Sequence, residues 1–159
     1  MDKSAIVQQL CEQIKSDRDT LTQAALAAHE AATHTESKAE DQYDTRGLEA
    51  SYLAGAQSKR ALELEEILVL FRETPLRQFT DANPVSLTAV VEVQCEGKSH
   101  YYFLMPKGGG MQALVEGKTV FVITPHSPIG ETLIGRHVGD DFELRIQSVE
   151  RSYAISRIW

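Results

Sequence analysis

The sequence predicts an α+β protein: an N-terminal antiparallel α-helical coiled-coil hairpin, then a β-rich domain with a mostly antiparallel sheet and one short helix. Three observations predict it. Residues 4–72 contain no proline and only two glycines, Gly47 and Gly55. All five prolines, starting at Pro75, and the other eight of the ten glycines come later. The apolar spacing changes at the same place, from threes and fours to short β-branched runs. Together these divide the chain into a helical hairpin at 1–74, a linker at 75–84 and a C-terminal domain at 85–159, with Pro75 as the stop signal.

In the first helix Val7, Leu10, Ile14, Asp17, Leu21, Ala24, Ala28 and Ala31 recur at alternating spacings of three and four. This is a coiled-coil seam, interrupted only by the polar Asp17. The second helix repeats the pattern at Leu53, Ala56 or Gln57, Arg60, Leu64, Ile67 and Phe71. Neither helix has enough large apolar residues for a core of its own, so each is expected to bury its seam against the other. At the rise of an α-helix, roughly 27 residues make an arm of about 40 Å. Alanines near the bend let the helices approach closely there, and the larger residues sit near the base.

In the second part "SLTAVVEVQC" and "SHYYFLM" flank "EGK", a hairpin signal. "KTVFVIT" reads as a third strand, "SPIGETLIG" as a capped short helix with proline at its first position, and "DDFELRIQS" with "RSYAISRIW" as a closing hairpin. The result is a small sheet with a helix packed on it.

The formal net charge of −7 argues against a direct grip on nucleic acid, which needs clustered Lys and Arg. No apolar run approaches membrane-spanning length. Cys11 and Cys95 lie far apart without metal-ligand spacing, and they read as reduced thiols. No signal peptide is visible, so the expected location is cytoplasmic.

Two stretches carry candidate chemistry. "THTESKAEDQYDTRG", Thr33 to Gly47, brings Glu36, Glu40, Asp41 and Asp44 together at the bend. Ser37 and Glu40 form a capping box, which accounts for Glu40 and, through the helix dipole, partly for Asp41. It does not account for Glu36, Glu40 and Asp44 at i, i+4 and i+8, where like charges repel by a few tenths of a kcal/mol per pair. The other reading is a carboxylate probe. One or two mobile carboxylates hold magnesium poorly alone, yet they complete a site that a partner half builds. In the second stretch, "VFVITPHSPIGETLIGRHVGDDFEL", Ser127 caps, Pro128 opens the helix, and Gly130 and Gly135 permit close packing or unusual backbone angles.

The pattern Ser-Pro-Ile-Gly-x-x-Leu-x-Gly-x-x-x-Gly-Asp, Ser127 to Asp140, resembles the C-terminal domain of the Gre transcript-cleavage factors. The preceding strand and the closing "YAISRIW" fit that domain, and the order of arm, linker and domain fits the family. The resemblance is specific from Gly117 to Trp159. It implies an FKBP-like C-terminal fold that docks on bacterial RNA polymerase at the mouth of the secondary channel. It further implies an arm whose tip acids help the polymerase's own Mg2+ cut backtracked RNA.

Such a factor is not itself an enzyme. It has no catalytic residue, metal site or cofactor of its own, and it meets nucleic acid only through polymerase. By this resemblance the partner-binding candidates are Ser127, Pro128, Ile129, Gly130, Leu133 and Gly135, and the tip candidates are Glu36, Glu40, Asp41 and Asp44. A monomer is expected. The family tip reads Asp-Leu-x-Glu-Asn-Ala-Glu-Tyr. Aligned on Tyr43, Glu36 takes the place of the Asp, Ala39 that of the key Glu, and Glu40 falls one place later. A secondary-channel regulator or inhibitor without cleavage activity is therefore an alternative.

A third possibility is an FKBP-like prolyl isomerase or chaperone with a helical arm, which needs a deep aromatic-lined pocket. Tyr101, Tyr102, Phe103, Phe121, Phe142, Tyr153 and Trp159 are expected to be used up in the core. His29 and His34 lack a second ligand pair. "PKGGGMQ" at Pro106 to Gln112 lacks the Walker spacing and is expected to be a flexible turn.

Overall fold

A computed structural model describes residues 1–33, 46–146 and 149–159. The elements are α1 (Lys3–Thr33), α2 (Arg46–Glu73), β1 (Val90–Cys95), β2 (Lys98–Leu104), β3 (Gln112–Val115), β4 (Lys118–Ile123), α3 (Pro128–Leu133), β5 (Asp141–Ile146) and β6 (Val149–Ile158). The chain folds as two compact units. Met1–Leu10 belongs with Glu73–Trp159, and Cys11–Arg72 forms the other.

In the arm unit the inward positions of α1 are Ile14, Arg18, Leu21, Ala25, Ala28 and Ala32, each buried or half-buried. The expected seam is out of phase by one residue at three places: Asp17, Ala24 and Ala31 give way to Arg18, Ala25 and Ala32. The cause is visible at Arg18, whose guanidinium reaches Glu65 of α2 at 2.6 Å while Asp17 stays in solvent. Runs of alanine do not fix the phase, because neighbouring positions are alike. In α2 the inward residues are Ala50, Ala54, Gln57, Ala61, Leu64, Leu68 and Phe71. Gln57, Leu64 and Phe71 match expectation, whereas Leu53 and Arg60 face outward and Ala54 and Ala61 replace them.

The β unit is a six-stranded sheet in the order β3-β4-β2-β1-β6-β5. Only β2 and β4 pair in parallel, so the sheet is mostly antiparallel, as predicted. β1 and β2 are joined by Glu96-Gly97, and β3 and β4 by Glu116-Gly117. Both residues of each turn have positive φ, between 50° and 75°, as two-residue hairpins with the twist of type I′ turns require.

β3 was not foreseen. The glycine-rich segment before it is knit to β4 through Gly110 N–H to Val122 O and Val122 N–H to Met111 O, at 3.0 and 2.8 Å. The expected flexible turn is thus a hydrogen-bonded lead into a strand. Gly108 and Gly110 supply the left-handed backbone that this lead needs.

One face of the sheet buries Val91, Val93, Leu104, Ile123, Tyr153, Ile155 and Ile158 with Leu133 of α3. Ile155 and Ile158, three apart, both face this core because the register shifts between Glu92 and Val93 where β1 meets β6. The opening turns of α1 are tied to the same unit. Leu114 of the edge strand β3 donates its N–H to Gln9 Oε1 at 2.8 Å, which satisfies a group that would otherwise invite strand pairing. Lys3, itself buried, donates to Arg77 O and to Thr88 O and lies 4.8 Å from the centre of the Phe79 ring.

Candidate partner-binding surfaces

The tip acids Glu36, Glu40, Asp41 and Asp44 lie outside the described residues, as does His34. The helices that would carry them are described on both sides of the bend. Thr33 near the end of α1 returns its hydroxyl to His29 O at 2.9 Å. α2 begins at Arg46, with Glu49 in its first turn, where a carboxylate suits the helix dipole. Among the described residues no three His, Cys, Asp or Glu side chains come together as a metal site.

The segment from Ser127 to Asp140 lies at one end of the β unit. Ser127 has extended backbone and caps α3. Its Oγ accepts from Gly130 N–H at 3.2 Å and donates to Thr124 O at 2.7 Å. Gly130 is buried against the backbone of Thr124; a Cβ there would stand 2.0 Å from Thr124 O. Leu133 is fully buried in the core, and Ile129 is partly buried against it. Gly135, at φ +80°, ends the helix and donates to Val85 O at 2.9 Å. Gly139, at φ +91°, is followed by Asp140, whose carboxylate accepts from His137 N–H at 2.8 Å.

Of the six residues singled out in this segment, Ser127, Gly130, Leu133 and Gly135 shape the surface from beneath or through the backbone. Pro128 is exposed, and with Glu131 and Ile134 it forms an outward row at i, i+3 and i+6. Ile134 is 43% exposed and was not foreseen. The apolar spacing of the segment does not separate it from its neighbour Leu133, which faces the core. Arg136 braces this end: its Nε donates to Thr132 O at 2.7 Å, and its guanidinium lies 5.3 Å from the centre of the Phe142 ring.

Of the seven aromatic residues expected in the core, Phe103, Phe142 and Tyr153 are buried and Tyr101, Tyr102 and Trp159 half-buried, whereas Phe121 is 39% exposed. Phe142 and Tyr153 stack at 5.3 Å and are buried in the core, with Tyr102 packed against it. Burial pushes the Tyr102 and Tyr153 hydroxyls above the ordinary phenol range. Tyr101 of β2 is half-buried, and Lys118 lies 4.9 Å from its ring centre. Cys11 and Cys95 are free and buried. No helix of the described residues is long and apolar enough to cross a membrane.

The fold therefore comprises a two-helix arm and a mixed β domain with a short capped helix. No protein-family model matches the chain, and no curated protein does. Solved structures similar to it include GreA factor homolog 1 (Gfh1) of Thermus thermophilus, at 20% identity and a TM-score of 0.38, covering 98% of this chain and 95% of that one. Gfh1 of Thermus aquaticus is similar at 21% identity and a TM-score of 0.39, over 98% and 94%. The prokaryotic transcription elongation factor GreA/GreB of Nitrosomonas europaea is similar at 17% identity and a TM-score of 0.37, over 60% and 78%.

Proposed function

We propose that the chain is an RNA-polymerase-binding transcription elongation regulator of the Gre type. The C-terminal domain docks on polymerase through the surface built by Ser127–Gly135. The arm carries Glu36, Glu40, Asp41 and Asp44 into the secondary channel toward the catalytic magnesium. The observation that supports this most is the construction of the Ser127–Asp140 segment. Its serine cap, its glycine pressed on Thr124 and its two left-handed glycines each need the residue type that the Gre-like pattern supplies. The outward row it leaves, Pro128, Glu131 and Ile134, is a small apolar surface with an acid at its centre, suited to a partner with a matching cation.

In this reading the protein performs no chemistry alone. Glu36, Glu40, Asp41 and Asp44 would offer carboxylate oxygens beside a metal that polymerase itself holds, and that metal would supply the Lewis acidity. The shifted tip, with Ala39 in the place of the family's key Glu, makes stimulation of cleavage the feature to measure. The test is transcript cleavage in stalled, backtracked elongation complexes, comparing the wild type with Glu36→Ala and Glu40→Ala while scoring binding in parallel. The expected outcome is binding by all three, with cleavage lost at least tenfold in one or both variants. Binding with no cleavage by the wild type assigns the protein to the regulators that occupy the channel without stimulating cleavage.

A further inference from the structure

The two edges of the β sheet are protected unequally. β5, at one edge, carries Asp141, Glu143 and Arg145, all exposed, and charge along an edge discourages further strand pairing. Arg136 also donates to Asp141 O at 3.2 Å. β3, at the other edge, reads Gln-Ala-Leu-Val and carries no charge. Its pairing with β4 fixes which way its backbone points. Val115 faces Lys118 across a two-residue turn and Ala113 faces Val120, so these two residues exchange their bonds with β4. Gln112 and Leu114 therefore turn N–H and C=O outward. Of these outward groups, Leu114 N–H alone has a partner among the described residues, Gln9 Oε1 at 2.8 Å.

The surface beside this edge is apolar on one face and acidic at one end. Leu114 is 62% and Phe121 39% exposed, and Phe121 lies opposite Gln112. Tyr102 continues the row on β2, its ring centre 6.4 Å from that of Phe121. At the hairpin turn beyond Val115 stand Glu116 and Asp2, joined by Asp2 N–H to Glu116 Oε1 at 3.3 Å. Both are exposed, and neither forms an ion pair among the described residues. Gln9 holds the place that the carbonyl of a further strand would take, a side-chain oxygen on an outward N–H, through a single bond.

We propose that the outer edge of β3 binds an extended segment of a partner protein by strand addition, antiparallel to β3 and in place of Gln9. Main-chain bonds to Gln112 and Leu114 supply affinity, and alternate side chains supply selectivity. The residue opposite Leu114 and the residue opposite Gln112 point to the same face as Leu114. Both are large and apolar in the fitting segment, because Leu114 and Phe121 are what they meet. Two residues before the first of them the segment reaches Glu116 and Asp2, so a lysine or arginine fits there. The side chains between point to the face on which Ala113 and Val115 are buried, where small residues fit. The pattern is basic, small, apolar, small, apolar. A second copy of β3 does not match it: two residues before Gln112 and Leu114 the chain has Gly110 and Gln112, neither a cation. This inference goes beyond the polymerase reading and does not rest on it.

The test is a proton–nitrogen chemical-shift titration of the full chain with the blocked peptide acetyl-Ser-Lys-Thr-Leu-Thr-Phe-Thr-amide up to about 2 mM, a range that reads sub-millimolar dissociation constants. The amides of Gln112 and Leu114 are expected to shift and saturate. Gln9→Ala, which clears the edge, is expected to tighten binding at least threefold. Gln112→Pro removes an outward N–H that the sheet does not use, and Leu114→Lys puts a charge on the edge; each is expected to weaken binding at least tenfold. Amide shifts away from β3 check that the fold is kept. Glutamate in place of the peptide's lysine is expected to weaken binding at least threefold. Gln112 and Leu114 amides that do not shift in either the wild type or Gln9→Ala, binding unmoved by both edge variants, or binding weakened by Gln9→Ala overturns the proposal. So does a shift of the same amides with chain concentration alone, which assigns the edge to a second copy. None of these outcomes depends on polymerase.

Discussion

Gly130 and Gly55 are the same residue type under opposite constraints. At Gly130 a methyl group would collide with a carbonyl oxygen of the backbone, which has no rotamer by which to yield. Gly130→Ala is expected to lower the stability of the β unit by about 3 kcal/mol, read as a fall in the denaturation midpoint. At Gly55, in a helix interior with open space where the methyl would go, Gly55→Ala is expected to raise arm stability by about 0.5–1 kcal/mol.

Lys3 gives a pH signature. Burial, and then the nearby Arg77 guanidinium, hold its ammonium below the usual lysine value of 10.5. In the window between that lowered value and 10.5 the unfolded chain keeps a proton that the folded chain has released. Stability therefore rises with pH across this window. Denaturation midpoints of the wild type should climb there relative to Lys3→Gln, in which that titration is absent. A parallel pair of curves would contradict the assignment.

The elements show what can be read in a linear sequence. The β1–β2 hairpin was legible because "EGK" sits between a valine-rich run and an aromatic one, and the cap of α3 was legible because Ser127-Pro128 is a local signal. β3 was not: four residues behind a glycine cluster have too little periodicity, and the strand exists because β4 offers it a partner. The phase of the arm seam was missed for a related reason. α1 carries alanines at 24, 25, 27, 28, 31 and 32, so the pattern admits more than one inward face until Arg18 and Glu65 are seen to meet. In the candidate docking segment the pattern was legible but its division of labour was not, because burial separates Leu133 from Ile134 and spacing alone does not.

The two hairpin turns make a prediction at this scale. Glu96 and Glu116 hold φ of 50° and 54°, a region that asparagine tolerates better than glutamate. Glu96→Asn and Glu116→Asn should each stabilise the β unit by about 0.5 kcal/mol, measured by thermal or denaturant unfolding.

At the scale of the whole molecule the chain joins an arm with little core of its own to a β domain with a full one. Among the described residues, the phenols that burial perturbs serve packing: Tyr153 lies in the sheet core and Tyr102 packs against it. In the proposed reading the acids Glu36, Glu40, Asp41 and Asp44 serve a partner that supplies the rest of the site. The central claim is therefore the partner. The most direct measurement is association of the purified full chain with core RNA polymerase, in pull-down and by titration, with Ile134→Glu as the docking-surface variant. The expected result is a saturable complex that Ile134→Glu weakens at least tenfold while leaving the fold intact. No association of the wild type with core polymerase would contradict the account.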